Sequence, residues 1–155
     1  MNEYPKGHAQ NPFTQADVDA IKPNNDGVRI MPSGHYAAWS SFGEGSSFGE
    51  RSSFGEGASF GEGARFGEGA RFENGKTPDD WRRPFFAVDR IGPKHRKAYF
   101  FRFGGVMHVR AGCFFGSEAE FLEKLDADGD PRKSRQYRAA LELARDILGD
   151  DGETA

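Results

Sequence analysis

The stretch SFGEGSSFGERSSFGEGASFGEGARFGEGARFENG, residues 41–75, decides the fold because it places a phenylalanine at every sixth position. A period of six does not keep one face of an α-helix aligned, since a helix repeats about every 3.6 residues. Six residues are three alternations of a β-strand, so a chain that turns once per hexad returns each phenylalanine to the same inward position. The repeat therefore predicts a β-solenoid, in which short strands stack coil upon coil. The phenylalanines are Phe42, Phe48, Phe54, Phe60, Phe66 and Phe72.

Each hexad reads F-G-E-G-[SA]-[SR], and most positions have a predicted role. The small residue two positions before each phenylalanine shares its face of the strand and leaves room for the ring. The glycine that follows the phenylalanine is predicted to leave the outer face of the strand without a projecting side chain. The Glu-Gly pair falls at the turn, where glycine tolerates unusual backbone angles. Arg51 replaces the second glycine once. The phase extends backwards through Tyr36 to Ile30, which predicts hexads from Ile30 to Thr77.

The hexad resembles the hexapeptide repeat of left-handed β-helices, [LIV]-[GAED]-x-x-[STAV]-x, with Phe42, Gly43 and Ser46 in the first, second and fifth places. It is also similar to the pentapeptide-repeat proteins, which use phenylalanine as a stacked core residue. Both resemblances imply a β-solenoid. The hexapeptide family usually has aliphatic residues where this chain has phenylalanine, which implies a wider or distorted coil.

The glutamates of the repeat are the first candidate functional residues. If three hexads complete one coil, Glu44 lies beneath Glu62 and Glu50 beneath Glu68, with about 4.8 Å between coils. Like charges at this spacing repel each other. Either a turn position must simply be polar, or the carboxylates imitate nucleic-acid phosphates and bind a protein that normally holds DNA or RNA. The predicted partner-binding residues are Glu44, Glu50, Glu56, Glu62 and Glu68, with Arg65 and Arg71 partly neutralising the last two hexads.

Composition divides the chain into four segments. They are an amino-terminal arm with a short helix over residues 1–29, the β-solenoid over 30–77, a small α+β module over 78–149 and an acidic tail over 150–155. In the arm, Thr14 is placed to cap the helix with Asp17 at its third position.

The α+β module is predicted to contain one small sheet. Segments 85–91, 98–103 and 107–115 are rich in β-branched and aromatic residues and are separated by short loops. This pattern predicts an antiparallel meander of three strands.

Two helices are predicted to follow the sheet. Ser117 and Glu120 form a capping-box pattern before the first helix. Asp130 and Pro131 are a cap and a first helical residue for the second helix, which Gly149 ends. Three strands and two helices can share one core.

A second resemblance concerns most of the chain. FFAVDRIG, VRAGCFFGSEAEF and YRAALELA, in this order after a short F-G-E-G array, resemble a group of small phage- and prophage-encoded proteins over roughly residues 41–148. Genes of this kind often lie among host-takeover and counter-defence functions, so the resemblance implies an inhibitor such as an anti-CRISPR protein. It identifies neither a target nor a functional residue.

No residue pattern points to catalysis, and we expect no enzyme activity, metal or cofactor. The four histidines lack the spacing of metal-binding motifs. LDADGDP alternates aspartates as a calcium loop does, but Pro131 stands where such a loop requires glycine. Cys113 lies in a predicted strand and has no visible base partner, which favours a small buried residue over a nucleophile.

Basic residues around the first predicted hairpin form a second candidate site. They can contact phosphates, with Trp81, Tyr99 and Phe101 as stacking surfaces, or they are an ordinary solvated turn. The candidate nucleic-acid contacts are Arg82, Arg83, Lys94, Arg96 and Lys97.

Composition also predicts the solubility and the cellular location of the protein. A chain with 36% hydrophobic and 29% charged residues is typical of a soluble globular protein. Apolar runs fall well short of the roughly 20 residues of a membrane span, and the first residues lack signal-peptide features. With a single cysteine, these features predict the cytoplasm of a bacterial host cell.

These patterns together predict a non-enzymatic inhibitor that binds a host nucleic-acid-handling complex by acidic mimicry or steric obstruction. A homodimer is compatible with the sequence. The alternatives are a structural or self-assembling phage protein, and an accessory protein that binds nucleic acid directly through the basic hairpin.

Overall fold

The computed structural model describes residues 3–149, which divide into two compact units with the boundary between Thr77 and Pro78. The first unit contains pairs of short parallel strands, and the second contains a four-stranded antiparallel sheet and two helices. The predicted acidic tail, 150–155, lies outside the described residues. Within residues 3–149, no helix is both long and apolar enough to span a bilayer.

The repeat of the first unit forms three parallel ladders, β1-β4-β7, β2-β5 and β3-β6. Helix α1 spans Gln15–Asp19, and the strands are β1 Arg29–Met31, β2 His35–Tyr36, β3 Ser41–Phe42, β4 Ser46–Phe48, β5 Ser53–Phe54, β6 Ser59–Phe60 and β7 Arg65–Phe66. Phe42 pairs with Phe60 and Phe48 with Phe66, so paired residues are eighteen positions apart. The predicted spacing of three hexads between stacked residues is confirmed.

Aromatic rings fill the space between the ladders. The ring of Phe42 stacks on that of Phe60 with centroids 5.4 Å apart, and neighbouring hexads meet edge to face, as Phe42 and Phe48 do at 4.9 Å. Five of the six repeat phenylalanines are at most 4% exposed, Phe66 being half-buried. Each buried ring contributes about 1.5–3 kcal/mol from burial, and each favourable ring pair adds about 0.5–1.5 kcal/mol.

Where the small inward residue is a serine, it also forms a hydrogen bond to the preceding turn. The hydroxyl of Ser46 donates a hydrogen bond of 2.9 Å to the carbonyl of Gly43, and Ser52 does the same to Gly49 at 3.0 Å. Both serines are fully buried. Serine at this position therefore leaves room for the ring. Its hydroxyl also donates to a turn carbonyl that has no hydrogen-bond partner in a strand ladder.

The glycines after Phe54, Phe60 and Phe66 have a different role from the predicted one. A Cβ atom on Gly61 would lie 2.8 Å from the backbone nitrogen of Glu44 in the layer below. Close approach of stacked layers, rather than a low outer surface, thus excludes a side chain there. The second glycine serves the turn as expected: Gly45 has φ +70°, and Arg51 adopts the same left-handed conformation with φ +61°.

The predicted phase is wrong at its first hexad. Ile30 points outward and is 62% exposed, whereas Met31 pairs with Phe48 and is 1% exposed. Met31 lies five positions before Tyr36 rather than six, so the inward position moves by one. Because strand side chains alternate, this shift sends Ile30 to the outer face.

The amino-terminal arm adds a layer beside the first hexads. Helix α1 has the predicted capping box between Thr14 and Asp17. Phe13 bridges to Tyr36 in parallel, and their ring centroids are 5.0 Å apart. Val18 of α1 is fully buried, and the guanidinium of Arg29 donates to its carbonyl at 2.6 Å.

The sheet of the second unit has four strands rather than three. The strands are β8 Phe85–Ile91, β9 Arg96–Phe103, β10 Val106–Ala111 and β11 Phe114–Ser117, in the order β11-β10-β9-β8. The segment predicted as one strand, 107–115, is a hairpin, since Ala111 pairs with Phe114. Gly112 has φ +60°, which suits a two-residue turn. Cys113 lies in this turn and is exposed, so its predicted burial is wrong.

Helices α2 (Glu118–Asp128) and α3 (Pro131–Leu148) pack on one face of this sheet. Their predicted caps are confirmed: Ser117 forms a capping box with Glu120, and Asp130 accepts bonds from the first backbone N–H groups of α3. The hydrogen bonds from Ser117 hold the pKa of Glu120 below its ordinary value. The shared core includes Phe100, Val109, Phe121, Leu125, Tyr137, Leu141 and Ala144.

Two alanine substitutions at equivalent hexad positions test the close approach of the layers. Gly61→Ala should lower the free energy of unfolding by about 1–3 kcal/mol, because its new methyl group would meet backbone. Gly43→Ala should change it by less than about 0.5 kcal/mol, since the nearest atom to its Cβ is an arginine nitrogen at 3.4 Å. Urea denaturation measures both values. Equal destabilisation by the two variants would contradict the layered arrangement.

Candidate functional site

The five predicted glutamates all lie at turns between strands, and their side chains are exposed. The N–H of Gly45 donates to the carbonyl of Glu62 at 2.8 Å, which places Glu62 in the layer above Glu44. Similarly, the N–H of Arg51 donates to the carbonyl of Glu68 at 2.9 Å, one layer above Glu50. The predicted stacking of these two glutamate pairs is confirmed.

Glu56 has different neighbours. Its carbonyl accepts a hydrogen bond of 2.7 Å from the N–H of Trp39, and its own N–H donates to the side chain of Asn74 at 3.0 Å. Asn74 therefore occupies the equivalent turn position in the next layer. The carboxylate of Glu73 accepts a hydrogen bond of 2.9 Å from the N–H of Gly57 beside Glu56. The five carboxylates form two pairs and one single group on three columns of turns, rather than continuous ribs.

Arg65 and Arg71 lie on strands rather than at turns. Arg65 pairs with Ser47, and Arg71 bridges to Ser53, so both side chains stand on the outer faces of their ladders and are exposed. Within residues 3–149 neither forms an ion pair with a repeat glutamate. They add positive charge between the glutamate columns.

Trp39 is a candidate binding residue that the sequence reasoning missed. It occupies the position of the second glycine in the hexad that begins at Tyr36, and its backbone has φ +63°. Its ring lies over Gly57, yet the side chain remains 57% exposed. A left-handed backbone costs a residue with a side chain about 1–2 kcal/mol. The sequence has a tryptophan at a hexad position that is glycine in most other repeats, and this departure could have identified Trp39 as a candidate.

The predicted nucleic-acid contacts do not form one cluster. Lys94 and Arg96 lie at the turn between β8 and β9, whereas Arg82 and Arg83 precede β8 at its opposite end. Seven residues of strand separate the two groups by about 20 Å. Arg83 donates to the carbonyl of Ile147 near the end of α3 at 2.8 Å.

The predicted stacking surfaces are largely unavailable. Tyr99 is 2% exposed and Phe101 is 1% exposed, so neither ring can receive a base. The ammonium of Lys97 lies 5.4 Å from the centroid of Tyr99, and the guanidinium of Arg82 lies 4.8 Å from that of Trp81. These cations therefore already contact aromatic rings of the protein.

The aspartates of LDADGDP make structural contacts. Asp126 pairs with Arg138 at 3.0 Å, and Asp130 caps α3. A hydrogen bond from Lys133 holds the pKa of Asp128 below its ordinary value. In the part of the chain that the structure describes, no group of three histidine, cysteine or acidic side chains is placed to hold a metal ion.

Comparison of the chain with protein-family models, with curated proteins and with solved structures found no match.

The stacked glutamate pairs should oppose folding slightly. Glu62→Gln removes one charge of the pair with Glu44 and should raise the free energy of unfolding by about 0.2–1 kcal/mol at low salt. Glu56→Gln is the matched control and should show a smaller gain, because Asn74 occupies the equivalent turn position and the N–H of Gly57 stabilises the nearby carboxylate of Glu73. The difference should disappear near 1 M salt, where the screening length is about 3 Å. Thermal unfolding at two salt concentrations measures it; an equal gain in both variants would contradict the pairing.

Proposed function

We propose that this protein is a non-enzymatic inhibitor that binds a host protein complex handling nucleic acid, with the first unit making the contact. The observation that carries this proposal is the presentation of five exposed glutamates on turns whose backbone is held by stacked strands. A rigid array of charges loses little conformational entropy on binding, which favours recognition by a complementary surface.

The proposal includes a closed β-solenoid for the repeat. Rings of different ladders touch each other edge to face: Phe48 contacts Phe54 at 4.8 Å, and Phe60 contacts Phe66 at 5.0 Å. Such contacts favour a single interior lined by all three ladders, with eighteen residues in each coil. In a coil of this kind the aromatic interior directs every Glu-Gly turn outward.

The charge pattern favours a partner that binds phosphates. Two carboxylates one layer apart, as in Glu44 and Glu62, raise the local negative potential and attract a basic surface. The pairs are only two layers high, so they would replace a few phosphates rather than a long duplex. Inhibition would therefore combine charge mimicry at these turns with steric obstruction by the rest of the molecule.

Trp39 supplies an apolar anchor beside this charge. Its exposed indole lies in the same column of turns as Glu56, because the backbone N–H of Trp39 donates to the backbone carbonyl of Glu56. Tryptophan is enriched among residues that dominate binding energy at protein interfaces. A left-handed tryptophan is also a strained element of the kind that clusters at binding sites. The resemblance to phage-encoded proteins fits an inhibitor acting in the bacterial cytoplasm, in the manner of an anti-CRISPR protein.

Charge removal tests the glutamate surface. The variant Glu44→Gln, Glu50→Gln, Glu62→Gln and Glu68→Gln should lose capture of a nucleic-acid-binding complex from bacterial lysate, measured by quantitative mass spectrometry. The control variant changes net charge equally on the second unit, by Asp89→Asn, Glu123→Gln, Glu142→Gln and Asp146→Asn, and should capture as the unmodified protein does. Capture should weaken steeply with salt, and the captured complex should lose nucleic-acid binding.

Unchanged capture by the glutamate variant would refute the proposed surface. Capture of a complex that binds no nucleic acid would refute the proposed target class.

The variant Trp39→Gly should weaken binding without lowering the stability of the fold. Affinity for the captured complex should fall by about 30-fold or more, equivalent to at least about 2 kcal/mol. Stability should hold or rise, because glycine adopts φ +63° without strain. Ile30→Ala, which removes apolar surface from another exposed position, should leave affinity unchanged. Surface plasmon resonance measures affinity; equal losses in both variants would show that Trp39 is not a specific anchor.

A further inference from the structure

A cleft in the second unit lies where the turn between β8 and β9 meets the two helices. Its volume is about 150 Å³. Apolar groups of Ile91, Phe121 and Tyr137 line part of it. Basic side chains from the turn, the start of β9, α2 and α3 also line it: Lys94, Arg96, Lys124 and Lys133. The structure thus assembles a cationic site of which the sequence reasoning found only the turn residues.

A second, more polar cleft adjoins the first. Its volume is about 380 Å³, and it shares Gly92, Pro93 and Lys133 with the smaller cleft. Its other lining residues are Arg90, His95, Asp130, Arg132 and Gln136. The larger volume falls within the roughly 300–1,000 Å³ of ligand pockets. One ligand can therefore extend from an apolar compartment into a polar one.

The basic residues of the two clefts outnumber the acidic ones. Within residues 3–149, Arg90, Lys94, Arg96 and Arg132 form no ion pair. Asp128 holds the ammonium groups of Lys124 and Lys133 at 3.5 and 2.6 Å, and Asp130 is engaged as the cap of α3. Six lysine and arginine side chains thus face two carboxylates, which leaves a net positive site.

The turn is held against α3 before any ligand binds. The N–H of Gly92 donates to the side-chain oxygen of Gln136 at 2.9 Å. Gly92 has φ +76°, and a Cβ atom there would lie 3.0 Å from the ring of Tyr137. The guanidinium of Arg96 lies against Gly112 of the neighbouring turn. These contacts preorganise the cleft, which reduces the entropy cost of binding.

Backbone irregularities concentrate at the same place. The pairing of β8 with β9 shifts register between Val88 and Ile91, which is a β-bulge. Arg90 within it has φ +55°, and His95 in the turn has φ +53°. Bulges redirect side chains, and left-handed residues other than glycine cluster at binding sites. Two strained residues that both line the polar cleft point to a site shaped for a ligand.

We propose that these adjoining clefts bind a nucleotide, either free or at the end of a strand. The smaller cleft offers apolar surface for a flat base through the exposed ring of Pro93 and the half-buried Ala111. The rings of Phe121 and Tyr137 form its floor and are at most 3% exposed.

The larger cleft offers guanidinium groups from Arg90 and Arg132, the bidentate partners that suit phosphate, beside the ammonium of Lys133. This site goes beyond the proposed inhibitor function and does not depend on it, because the glutamate turns belong to the first unit.

Calorimetric titration with adenosine 5′-monophosphate tests the site. Binding should be saturable with a Kd below about 1 mM, and tighter than that of adenosine or inorganic phosphate alone. The amide signal of Gly92 in an NMR titration should shift. The double variant Arg90→Gln, Arg132→Gln should raise Kd about 10-fold or more. The matched control Arg82→Gln, Arg83→Gln removes the same charge at the far end of β8 and should leave Kd unchanged.

Short oligothymidylates with and without a 5′-phosphate separate the two sources of the ligand. If only the nucleotide binds, the site takes a free nucleotide. If the phosphorylated strand binds more tightly than the nucleotide and the unphosphorylated strand does not bind, the site takes a strand end.

The proposal is overturned if neither the nucleotide nor the phosphorylated strand binds, or if phosphate alone binds as well as the nucleotide. It is also overturned if both strands bind equally, or if the control variant weakens binding as much as the site variant. None of these outcomes affects capture through the glutamate turns, so the two proposals fail separately.

Discussion

Contact between aromatic rings eighteen residues apart is the interaction on which the first unit depends. Phe48 lies 5.4 Å from Phe66 with nearly parallel rings, and edge-to-face contacts join each hexad to the next. No strand of the repeat is longer than three residues, so backbone pairing of single strands contributes little to stability. The rings hold many short strands in one register because each of them contacts several others.

Several further features follow from this register. Layers spaced as neighbouring strands leave no room for a Cβ atom at Gly55, Gly61 and Gly67, where it would lie 2.6–2.8 Å from backbone. Turns must take left-handed backbone, which glycine does without strain and which Arg51 and Trp39 do at a cost. The glutamates are carried outward in pairs despite their repulsion. The rigidity of the turns, their exposed charge and the strained backbone of Trp39 thus all follow from the stacking of the aromatic rings.

The two proposed sites use opposite charge and lie in different units. The acidic turns of the first unit suit a basic protein surface, whereas the clefts near Lys133 suit a phosphate. The second site takes its basic residues from β8, the following turn, the start of β9, α2 and α3. It depends on helix packing against the sheet rather than on a repeat.

The sequence alone determined what repeats or acts locally: the register of the hexads, the glycines at turns, and the helix caps of Thr14, Ser117 and Asp130. These depend on strand alternation and on bonds spanning a few residues. Tertiary structure decided that Ile30 faces outward and that the 107–115 segment folds back on itself. It also decided which basic side chains meet, because such neighbours are distant in the chain and only packing brings them together.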